Sequence, residues 1–164
     1  MNLETITNEI KNKRNIFVFR LEINSDNENQ NRPPNEWSLM ELIEHLILAE
    51  EKLLDLIINS DKQMDKRTLK DFFMRKIVSF VMSNGVKVPV PSKNVEPIGN
   101  LSKEKLINRC FDLDRKLDFI NIQNLSLYCF THPIAGPLTA IETLEFISLH
   151  LTYHLKRAKK LSLI

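Results

Sequence analysis

Only three glycines occur in this 164-residue chain, and long stretches of it lack proline. Glycine is the usual residue wherever the backbone needs positive φ, so a turn-rich β fold is disfavoured and long helices are favoured. Cysteine is scarce too, with Cys110 and Cys129 alone. Both lie in a segment that reads as helical, where their 19-residue separation corresponds to roughly 28 Å at about 1.5 Å rise per residue. A continuous helix of that length excludes an intramolecular disulfide, so both thiols are expected to be buried and reduced, as suits a cytosolic protein. No apolar run approaches the length of about 18 residues that a membrane span needs. The best stretch, Phe72 to Met82, is broken by Arg75 and Lys76. The first residues, MNLETITNEIKNKR, hold no apolar signal core. The chain is therefore expected to be soluble and cytoplasmic. Neither sign of charge dominates: 23 Lys and Arg face 21 Asp and Glu, a net of +2. That balance gives no reason to expect nucleic acid or a membrane surface as a partner. Internal repeats and low-complexity tracts are also missing.

What is present is an ordinary globular composition, 43% hydrophobic and 27% charged, at a length suited to one domain over residues 1–164. Leu3, Ile6, Ile10, Phe17 and Leu21 recur at helical spacing and predict a first helix from Leu3 to Ile23. Asn24 to Asn35, closed by Pro33-Pro34, reads as a loop. A second helix opens at Ser38, where Ser38 and Glu41 form a capping box and Trp37 and Leu42 a hydrophobic staple. Its core stripe, Leu42, Leu46, Ala49, Leu53 and Leu56, runs to about Ser60. Residues 66–82 read as a shorter amphipathic helix through Leu69, Phe72, Phe73, Ile77 and Phe80. VKVPVPSKNVEPIGN follows, whose prolines forbid regular helix. A third helix runs from Ser102 to about Leu125 on Leu106, Cys110, Leu113, Leu117 and Ile120. After a turn at THPIAGP (131–137), Thr139 and Glu142 form another capping box for a last helix reaching about Leu161. Lys156, Arg157, Lys159 and Lys160 near its end suit the negative pole of the helix dipole better than a nucleic-acid patch. Four strong helices predict an all-α four-helix bundle with an extra short helix in a long crossover between the second and third.

The chemistry rests on histidine. His150 and His154 are spaced H-x-x-x-H, which puts both imidazoles on one face of the last helix, one turn apart. Such a pair converges on one cation, although two half-buried histidines have the same spacing. The intervening Leu-Thr-Tyr lacks the glutamate of the H-E-x-x-H zinc-protease motif. His45 borders the core stripe of the second helix, as either a third ligand or a core-edge histidine bonded to a carbonyl. The crossover is long enough for the second and third helices to run parallel, with the last antiparallel to the second. His45 then lies about 10 Å from one end of the bundle, and His150 and His154 roughly 12–18 Å from the same end. In a simple up-down-up-down order the pair would instead sit about 16–22 Å down.

Two blocks carry a resemblance. W-S-x-x-E-x-x-x-H at Trp37 to His45, and H-P-x-x-G-P-L-T-x-x-E-x-x-x-F-x-x-x-H-x-x-x-H at His132 to His154, resemble the DinB-like (YfiT-type) metalloenzyme superfamily. The likeness in helix order and length extends over nearly the whole chain. It implies an up-down-down-up bundle and a divalent metal on one histidine of the second helix and two of the last. Those positions are His45, His150 and His154 here. Three protein ligands leave positions open, as catalytic metal sites do. The metal would then lower the pKa of water or polarise a carbonyl or thiolate. Zinc and nickel both accept imidazole. Hydrolases and thiol-dependent transferases in the superfamily imply a small-molecule substrate and a low-molecular-weight thiol, and the superfamily often forms homodimers.

Glu41, His132 and Tyr153 are the remaining catalytic candidates. Capping accounts for Glu41 (and likewise Glu142), a turn role for His132, and packing for Tyr153. Trp37 reads as a core anchor. The competing function is a non-catalytic, metal-binding or stress-related interaction module, favoured by the lack of a strong general base. An open pocket above the metal would favour the enzyme; a fourth protein ligand or a filled cavity, the module.

Overall fold

A computed structural model describes residues 2–59, 68–85, 95–120 and 128–164, with Tyr128 described by its backbone only. The described residues are mostly helical and form six helices and a small two-stranded sheet. Helix α1 (Leu3–Ile23) starts where the Asn2 side chain accepts the Thr5 amide at 2.8 Å, and it buries Ile6, Ile10, Phe17 and Leu21 at the predicted spacing. Helix α3 (Leu39–Ile58) starts on the predicted capping box, with the Ser38 amide donating to Glu41 at 2.9 Å. Helix α4 (Leu69–Ser83), capped by Thr68 and Asp71, is the short helix of the crossover. The predicted residues before Thr68, the end of the second helix at Ser60, and residues 86–94 lie outside the described residues. Helix α5 spans Lys103–Asp118 behind Ser102, and α6 spans Ala140–Lys160 behind the Thr139–Glu142 box.

Three expectations are corrected. A five-residue helix, α2 (Asp26–Gln30), interrupts the predicted loop, because Ser25 and Glu28 form a further capping box there. It is pinned by the buried Asn29 side chain, which donates to the Leu21 carbonyl at 2.9 Å. The third helix stops at Asp118, short of Leu125; residues 121–127 lie outside the described residues. The segment read as helix and turn before α6 is an antiparallel hairpin, β1 (Tyr128–His132) and β2 (Gly136–Thr139), pairing His132 with Gly136. Aromatic and β-branched Tyr128, Phe130 and Thr131 favour strand there. Gly136 takes the positive φ (72°), and an added Cβ would come within 2.4 Å of Asp71 Oδ1. Cys129 therefore sits on a strand, and the separation argued from one continuous helix does not apply. Both cysteines are free thiols, Cys110 buried and Cys129 half-buried.

One apolar core draws on α1, α3, α5 and α6. Helix α1 packs on α5 and α6, and α3 on the same two. Polar links stitch these contacts: Lys13 to Ser148 Oγ at 2.8 Å, Lys11 to Asp118 at 2.6 Å, Arg109 to Glu51 at 2.6 Å and Lys116 to Asp55 at 2.7 Å. Inside the core, Arg14 of α1 pairs with Glu50 of α3 at 2.5 Å and also with Asp114 of α5. Both Arg14 and Glu50 are almost wholly out of water. A charge stripped of its partner there would be stranded. No helix among the described residues is long and apolar enough to cross a membrane. Arg14→Ala is expected to cost about 3–5 kcal/mol of stability in urea melts, with much of the loss recovered by Glu50→Leu in the same chain. A loss below about 1 kcal/mol would show that the pair is not structurally coupled.

Candidate metal centre

The two capping boxes set the site's coordinates. Ser38 fixes where α3 begins, which puts His45 in its second turn; Thr139 does the same for α6, which carries His150 and His154. The structure brings all three imidazoles together, with one ligand atom from each within 4.8 Å of the others. His45 Nε2 lies 3.4 Å from His150 Nε2, and His154 Nε2 lies 3.0 Å from the same atom. Imidazoles on one metal at about 2.0–2.1 Å place neighbouring nitrogens roughly 3.3 Å apart in tetrahedral geometry. The donor set and its spacing fit a metal ion.

Protonation state supports the fit. His45 Nδ1 lies 2.7 Å from the Val95 carbonyl, so Nδ1 carries the proton and Nε2 presents a bare lone pair to the cluster. This is the usual way a second partner orients a metal-ligating histidine. Burial pushes the His45 pKa down, partly offset by that bond. Burial, then the imidazoles of His45 and His132, push His150 down to about 3. Burial, then His150, His45 and Arg157, hold His154 well below the ordinary value. His150 retains some accessible surface because it borders a cavity, although protein surrounds it. Rings kept neutral are rings kept in the ligating form. With His45 Nε2 bare, one proton on His150 Nε2 satisfies only one of its two close contacts. A cation satisfies both.

Aromatic rings hold the cluster in place. Trp37 packs on His45 at 4.7 Å, Phe146 stacks on His150 at 6.2 Å, and Tyr153 meets His154 edge-on at 4.7 Å. Trp37 thus does more than staple the helix start. Phe146 was legible in principle, one turn before His150 on the same face of α6. The Val95 carbonyl was not, since any residue could supply it.

Beside the histidines opens a cavity of about 1070 Å³, walled by Trp37, Phe130, Phe146, Val78, Val81 and Met82 among others. His132 and Tyr153 line it; Glu41 is not among the lining residues. Glu41 accepts the Ser38 amide and pairs with Arg32. Burial alone would raise its pKa, but the Ser38 bonds and Arg32 bring it below the ordinary carboxylate value. Glu142 is likewise taken by its cap and by Arg75 at 2.5 Å. The basic end of α6 is divided: Arg157 turns into the cavity wall and pairs with Glu36 at 2.6 Å, and Lys156 donates to the Ser83 carbonyl at 2.5 Å.

Compared with models of protein families, with characterised proteins and with solved structures, the chain matches none.

The depressed pKa values set a pH dependence for the metal-free protein. Unfolded histidine takes up a proton below about pH 6.5, whereas burial lowers the pKa of the folded rings, that of His150 to about 3. Between those limits the unfolded chain binds more protons, so stability falls as pH falls. The urea midpoint of chelator-treated protein is expected to drop between about pH 7 and about pH 5, and to drop less in His150→Phe. Equal slopes in both proteins would mean that His150 is not held neutral.

Proposed function

We propose that this chain is a metal-dependent enzyme of the DinB-like type. In it His45, His150 and His154 hold one divalent transition metal, zinc or nickel, beside the chamber where a small molecule reacts. The observation that carries the reading is the convergence of three imidazole nitrogens within 4.8 Å of one another. Bound there, the metal supplies Lewis acidity at the positions the protein leaves open. Hydrolysis or thiol-dependent transfer are the reaction types proposed, a low-molecular-weight thiol serving as co-substrate in the second.

The protein's own residues contribute orientation and dryness. His45 is aimed by Val95, and the rings of Trp37, Phe146 and Tyr153 exclude water from the flanks of the ligands. The cavity beside the cluster favours an enzyme over an interaction module, which has no use for an open chamber at its metal. Against that stands the cavity's one described carboxylate, Glu36, which is already paired with Arg157. A role limited to binding is therefore the second reading.

The same proposal includes an up-down-down-up four-helix bundle. Residues 51 and 55 of α3 meet 109 and 116 of α5, so their numbers rise together. They run oppositely between α1 and α5, where 11 meets 118 and 14 meets 114. They also run oppositely between α3 and α6, where Glu36, just ahead of α3, meets 157 and His45 meets 150. A cytoplasmic homodimer completes the reading, with the apolar residues exposed on α4, such as Phe73 and Phe80, offering surface for pairing.

The test is metal content of tag-free protein, wild type beside His150→Ala. About one equivalent of a transition metal in wild type, lost in the variant, is expected. No metal in wild type after incubation with zinc or nickel would overturn the proposal.

A further inference from the structure

The walls of the cavity specify what it takes. At about 1070 Å³ it is at the upper end of the range, roughly 300–1,000 Å³, that accommodates drug-sized ligands. Its described lining is dominated by aliphatic and aromatic side chains from α3, α4, α6 and β1. The charges of the described lining are nearly all cancelled. Arg157 is paired with Glu36 at 2.6 Å, and Arg32 is paired with Glu41. Lys52 is exposed, so its ammonium remains in water. In the metal-free protein an ionised ligand body would lose its hydration without finding, among the described residues, a free counter-charge inside.

His132 supplies a polar group to that wall. His132, at the end of β1, lines the cavity and packs edge-on against Phe146 at 4.9 Å. Its Nδ1 accepts two backbone amides of its own turn, Ile134 N at 3.1 Å and Ala135 N at 2.9 Å. Two donors on Nδ1 fix the tautomer of the neutral ring, so the proton sits on Nε2. Among the described residues, no side chain or backbone group accepts from that Nε2–H. The hairpin thus holds an imidazole donor in the wall of an apolar chamber.

We propose that the cavity binds an apolar small molecule with an uncharged body and a carbonyl-type acceptor, which the Nε2–H of His132 holds. This rests on reading the cavity as the substrate chamber of the three-histidine centre, and it narrows the substrate class to lipophilic esters, amides or ketones. His132 acts as a positioning residue for that acceptor.

The test uses chelator-treated full-length protein and the uncharged fluorophore phenylnaphthylamine, displaced by methyl decanoate, decanoate or decyltrimethylammonium. The ester is expected to displace the probe at concentrations about tenfold lower than either ion. Val81→Trp, which fills the chamber, should weaken the probe about tenfold with the metal content of untreated protein unchanged. His132→Asn keeps an acceptor for the two amides, while its shorter side chain places no N–H at the position of Nε2. It should weaken the ester about five- to tenfold while leaving the probe within about twofold. Equal displacement by ester and decanoate, no saturable probe binding to wild type, or equal weakening of probe and ester in His132→Asn would overturn the proposal. Because the titration needs no metal, its failure leaves the metal count standing, and a failed metal count leaves the titration standing.

Discussion

Three ring nitrogens that converge in a place where burial disfavours their protonation form the constraint on which the rest of this structure turns. Left to themselves, neutral imidazoles with facing lone pairs repel, and one shared proton relieves only part of that. The arrangement persists because the helices bearing the rings are fixed by features elsewhere: capping boxes at their starts, a buried ion pair in the core and a ring of aromatic contacts. A cation bound there would convert the local conflict into cohesion between α3 and α6. On the proposed reading stability and function would be joined at one point, since a bound ion would also tie the two helices together.

The chamber follows from the same layout. Helix α4 and the β-hairpin lay apolar side chains beside the α3–α6 contact, so the cluster borders a cavity with largely apolar described walls. Apolar walls strengthen any electrostatic interaction made beside them. The hairpin also contributes His132, whose ring is held by its own turn.

Much of this was legible in sequence because its determinants are local. Ser38 with Glu41, and Thr139 with Glu142, declare helix starts through residues three apart. His150 and His154 declare a shared face through a spacing of four. His45 was readable as inward-facing from the stripe around it. What escaped was short or non-local. The five residues of α2 and the strands of five and four residues are too brief for a periodic pattern to emerge. Arg14, Glu50 and Asp114 look like surface charges in sequence, and only the packing of α1, α3 and α5 buries them together. The Val95 carbonyl that aims His45 has no side-chain identity to read. Cys129 was misplaced because helical periodicity was carried past Asp118, where α5 ends.

X-ray absorption at the metal edge of zinc- or nickel-loaded protein tests the central claim most directly, since it reports the ligands themselves. The account predicts about three imidazole nitrogens at roughly 2.0–2.1 Å, with the outer-shell scattering of histidine rings, reduced in His45→Ala. A shell of oxygen alone, or a spectrum unchanged by that substitution, would contradict it.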